Sequence, residues 1–72
     1  MPTNYHNITN SSMISEIEYD EAEKLLKLKF CKGGWYGYDK VPKDIYYELI
    51  NAHSIGKYFL ANIKGKYEME KF

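Results

Sequence analysis

The sequence predicts an α+β fold: a three-stranded antiparallel β-meander followed by two short α-helices packed on one face, in the order β-β-β-α-α. Three observations predict it. Apolar residues alternate with charged ones from Met13 to Phe30, interrupted by the polar stretch Asp20 to Lys24. Lys32-Gly33-Gly34 marks a second turn before an aromatic run. Beyond Pro42 the apolar spacing changes from two to between three and four. A chain of 72 residues holds one small domain, because little more than one core can be assembled at this length.

Residues 1–12 are polar and aperiodic and read as a flexible tail, leaving 13–72 as the single domain. In the first strand Ser15, Ile17 and Tyr19 share a face, opposite Glu16 and Glu18. In the second, Leu26, Leu28 and Phe30 alternate with Lys27 and Lys29. A hairpin turning at residues 21–24 sets Tyr19 against Leu26, Ile17 against Leu28, Glu18 against Lys27 and Glu16 against Lys29. One register thus matches both the apolar and the charged pairs.

The third strand, in Trp35-Tyr36-Gly37-Tyr38, has two readings. A two-residue Gly33-Gly34 loop puts Tyr36 and Tyr38 on the lysine face. A three-residue loop with Gly34 in a left-handed bulge turns both toward Phe30 and Leu28, which is slightly favoured because it closes a small core with large rings. The first helix presents Ile45, Tyr46, Leu49 and Ala52 inward. Ser54 caps a second helix over 55–64, with an apolar stripe of Phe59, Leu60 and Ile63, ended by Gly65. Gly56 interrupts that stripe, as a close backbone approach would require. Tyr67 and Met69 are placed to add a short final strand.

Ten basic residues, all lysine, cancel ten acidic ones, so net charge singles out no class of partner. Lysine is a mobile point charge rather than a rigid fork, so a polyanion here would be held by its phosphates rather than read at guanine edges. One cysteine, Cys31, excludes an internal disulfide and a cysteine-built zinc site. With no long apolar run and no leader pattern, the expectation is a cytoplasmic protein without membrane attachment.

The chain resembles the KTSC domain family, a short module named after the lysyl-tRNA synthetase C-terminus that also occurs as a stand-alone bacterial or phage protein. The resemblance is carried by Ser12, Tyr19-Asp20, Leu26 through Phe30, Gly33, the central Tyr36-Gly37-Tyr38, Val41-Pro42, Tyr46, Leu49, Ser54, Gly56, Phe59, Ile63 and Tyr67, spanning Ser12 to Tyr67. It implies the fold and a conjectured contact with RNA, drawn from attachment to a synthetase; it implies no catalytic activity.

Two candidate sites follow from the residues. The first is the helix start Ser54-Ile55-Gly56-Lys57, where free N–H groups and partial positive charge favour an anion. Lys57 and Lys64, seven apart, share a face; Lys66 follows; and no carboxylate lies between His53 and Tyr67. The plainer reading of these residues is an ordinary cap and a solvated lysine face. The second is Trp35, Tyr36 and Tyr38, flanked by Lys32 and Lys40, able to stack bases if exposed. Their plainer reading is core packing for the tyrosines, with Trp35 the better exposed platform.

Neither His6, His53 nor Cys31 sits in a catalytic motif, so a non-enzymatic protein without cofactor or metal is expected. The functional reading is a binding module for RNA or another phosphate-bearing ligand. Alternatives are a protein–protein interaction module, whether adaptor, phage-encoded modulator or self-assembling unit, and sequestration of a small nucleotide.

Overall fold

A computed structural model describes residues 3–9 and 11–72. Among the described residues the elements are β1 (Thr3–Asn7), β2 (Ile14–Asp20), β3 (Leu25–Phe30), β4 (Trp35–Tyr38), α1 (Lys43–Ile50), α2 (Ile55–Asn62) and β5 (Met69–Lys71). The strands form one antiparallel sheet in chain order, β1-β2-β3-β4-β5. The α+β class and the single helix-covered face stand; the sheet has five strands where the meander predicted three, the short final strand expected at Tyr67 and Met69 forming as β5 at Met69–Lys71 and β1 being unexpected. Of the segment expected as a tail, residues 3–7 pair with β2 in register His6↔Ile17; Met1, Pro2 and Asn10 lie outside the described residues.

The β2–β3 hairpin has the register its charge and apolar pairs demand: Tyr19↔Leu26, Ile17↔Leu28, Glu18↔Lys27 and Glu16↔Lys29. Its turn, residues 21–24, ends at Lys24 in the left-handed region (φ 55°). Asp20 caps that turn by accepting from the Ala22 and Glu23 amides at 3.0 and 3.3 Å. Across the next hairpin Leu28 faces Tyr36 and Leu26 faces Tyr38, so both tyrosines point to the helix side. The loop responsible is Cys31-Lys32-Gly33, closed by Phe30 N–H to Gly34 O at 3.3 Å and Gly33 N–H to Phe30 O at 3.2 Å. Gly34 is not left-handed, so the bulge invoked for this register is absent and an ordinary turn suffices.

Both helices cover the same sheet face. Tyr46 of α1 stacks on Tyr19 at 4.4 Å and 11°, and the Tyr19 hydroxyl donates to the Val41 carbonyl at 2.6 Å. Phe59 of α2 meets Phe30 and Tyr38 edge-on at 5.4 and 5.5 Å. Ile14, Ile17, Leu26, Leu28, Val41, Leu49, Ile55 and Ile63 complete the buried core. Helix α2 stops at Asn62, short of the expected Lys64: Ile63 is its C-cap, with φ drawn out to −119°, and Gly65 follows at φ 79°. Its buried stripe is Ile55, Phe59 and Ile63, while Leu60, expected inward, is exposed. Gly56 lies under the Met13 side chain, which a Cβ would meet at an ordinary 3.5 Å, so no close backbone approach explains it.

Candidate functional site

The loop after β3, the inner face of β4 and the far side of α2 enclose an open groove of about 870 Å³. Phe30, Tyr36 and Phe59 give it an aromatic floor, with Phe30 edge-on to Tyr36 at 5.2 Å. Lys32 enters from the β3–β4 loop and Lys64 from the end of α2; both are exposed. A third ammonium, Lys71 on β5, lies 5.9 Å from the centre of the Tyr36 ring because β5 pairs with β4 in register Tyr36↔Lys71. No carboxylate lines the groove among the described residues. The ion pairs found there are Lys29–Glu16 at 3.5 Å and Lys43–Glu21 at 3.3 Å, both remote from it. The lysines of the groove therefore keep their charge available to an incoming anion.

A smaller depression of about 320 Å³ adjoins the groove across Ser12, Met13 and Leu60 and holds the start of α2. Ser54 Oγ accepts the Lys57 amide at 3.3 Å, so the sequence-predicted cap is formed and occupies one of the free N–H groups. Lys57 and His53 border this depression, both exposed.

The expected site residues are thus divided. Tyr36, Tyr38 and Lys64 meet in the groove; Ser54, Gly56 and Lys57 gather in the neighbouring depression. Lys66, exposed past Gly65, lines neither. Trp35 pairs with Lys29 on the opposite sheet face, because odd positions of β4 point away from the helices. Tyr38 is buried, and burial holds its hydroxyl above the ordinary phenol range; Tyr36 is half-buried and presents the accessible ring. Sequence reasoning missed Phe30, Met13, Met69 and Leu60 as groove lining, since their apolar character alone reads as core. Of the two lysines expected to flank the aromatic run, Lys32 lines the groove and Lys40 does not.

Three comparisons bear on this arrangement. Residues 10–67 match the family model described as KTSC domain. A lysine–tRNA ligase of Trichormus variabilis is 42% identical over 60 residues, covering 83% of this chain and 11% of that enzyme. A protein of Tsukamurella paurometabola is 35% identical over 57 residues, covering 79% of this chain and 85% of its own length. The chain therefore spans about a tenth of the ligases it matches. The crystal structure of a KTSC domain protein from Yersinia pestis superposes with a TM-score of 0.92 at 31% identity, over 99% of both chains.

Proposed function

Because the chain belongs to the KTSC domain family, in which relatives are joined to lysine–tRNA ligases, we propose that it is a non-enzymatic binding module whose groove takes single-stranded RNA. The observation that carries this reading is an aromatic floor lined by Lys32 and Lys64, with Lys71 beside the Tyr36 ring and no lining carboxylate among the described residues. A base laid on Tyr36 gains stacking energy that any nucleobase can supply, typically ~1–3 kcal/mol by alanine substitution. The lysines then meet the phosphates on either side. A duplex would hide its bases from so concave a site, whereas an unstacked strand presents them. Lys57 and the α2 start lie next along the surface and extend the positive path. The groove's polar side chains are ammoniums, phenols and the Ser12 hydroxyl, suited to holding an anion.

Fluorescence anisotropy with a labelled unstructured RNA tests this. Affinity should fall with salt at a logarithmic slope of about −0.7 for each phosphate contacted. Lys64→Glu should weaken binding about tenfold and flatten that slope, while Lys40→Glu, outside the groove, should not. Absence of binding at about 50 mM salt would reject an RNA ligand. The groove's size also falls within the range of small-molecule sites, about 300–1,000 Å³. A melting shift with mononucleotides but not with RNA would favour nucleotide sequestration instead.

A further inference from the structure

We propose that the sheet face turned away from the helices pairs with the same face of a second copy of this chain, about a two-fold axis parallel to the strands and lying between β2 and β3. Both helices lie on the other side, as the Tyr19–Tyr46 and Tyr38–Phe59 contacts establish, so this face has no layer over it among the described residues.

The register writes a self-complementary pattern on that face. Strand β2 presents the acidic row Glu16, Glu18 and Asp20; β3 beside it presents Leu25, Lys27 and Lys29. A rotation about the stated axis lays β2 of each copy over β3 of the other. Since Glu18 is level with Lys27 and Glu16 with Lys29, those two carboxylates then lie over ammoniums of the second copy, while Asp20 lies over Leu25. The same operation lays β1 over β4. Tyr5 is level with Glu18, Lys27 and Gly37, so the Tyr5 of one copy comes over Gly37 of the other.

Gly37 is where Phe72 sits: a Cβ built there would run into the Phe72 ring. Tyr5 and Phe72 are 54% and 56% exposed, and the axis brings these two unburied rings together twice. Lys27 Nζ lies 5.2 Å from the Phe72 ring centre rather than in an ion pair with Glu18, leaving both charges open to a partner. Aligned sheets pack ~10 Å apart with their strands turned by about 30°, a separation that such side chains span. Each contact occurs twice, as a closed two-fold pair requires.

Sedimentation equilibrium of the pure protein up to about 1 mM tests the proposal. The wild type should associate to a dimer. Glu18→Lys and Lys27→Glu should each weaken association at least about tenfold, by setting like charges face to face. An equimolar mixture of the two variants should restore it, because every facing pair is then again opposite in sign. Lys64→Glu, on the helix side, should leave it unchanged. A wild type that stays monomeric at that concentration, or variants that associate as well alone as mixed, would overturn the proposal. So would association that appears only when RNA is added. If either variant fails to fold, dilution of the wild type followed by NMR decides. Shifts confined to Tyr5, Glu18, Lys27 and Phe72 support the pairing, and shifts confined to the helices refute it.

Discussion

Leu49 is fully buried beneath the sheet, and at this chain length one such side chain is a large share of the total stability. Leu49→Ala should cost about 2–5 kcal/mol and leave the protein largely unfolded or nearly so, measurable by chemical denaturation. Lys40 illustrates the opposite case. It is held at φ 57°, where a side chain is strained, so Lys40→Gly should be neutral or stabilising by up to about 1 kcal/mol in spite of glycine's greater freedom when unfolded. A melting temperature raised by a few degrees would show it. At Tyr58 the hydroxyl donates to Glu48 at 2.7 Å across the two helices, and partial burial together with that carboxylate pushes its titration up to about 12. Its neutral form is the favoured one in the folded protein. The contribution is therefore complete below the ordinary phenol range near 10 and is lost as pH rises toward about 12. Tyr58→Phe should flatten the fall of melting temperature between those limits.

At the scale of elements, how much could be read in advance differed from strand to strand for physical reasons. The β2–β3 hairpin was legible from Glu16 to Asp20, since one register satisfied two apolar and two charged pairs and a slip would have inverted both faces; the irregularity between Ile14 and Glu16, which buries Ile14 where Ser15 was expected inward, was not. The β4 register was legible in outcome but not in cause. The tyrosines turn inward through a Cys31-Lys32-Gly33 loop that needs no left-handed residue. β1 was illegible because its inward side chains are polar: Asn4 donates to Glu21 at 3.0 Å and His6 bonds the Tyr46 hydroxyl, leaving no apolar period to find. Such a strand is held by specific partners, so His6→Ala should loosen β1 selectively. Hydrogen exchange should quicken there while the amides of β2 and β3 stay protected. The candidate site was half legible, because charge and cap signals marked Lys64 and Ser54. Which sheet face a ring occupies depended on the one register left open, and Trp35 fell on the far side.

For the molecule as a whole, several tyrosines share one tendency. Burial raises the hydroxyls of Tyr19, Tyr38 and Tyr46 as well as Tyr58, so their neutral forms all favour the folded state. Unfolding should become steadily easier above pH ~10, followed by the near-ultraviolet absorbance of phenolate. On the acid side Glu21 is held below the usual carboxylate range, first by the Asn4 amide and then by Lys43. Its contribution is present above that range and disappears as pH falls through the lowered value, so β1 and the start of α1 should part company only after the ordinary carboxylates have been protonated in an acid titration. β1 and β5 flank the sheet at opposite ends, on either side of three inner strands. A longer polypeptide carrying this unit would enter along one margin and leave along the other, with no need to thread back through the interior.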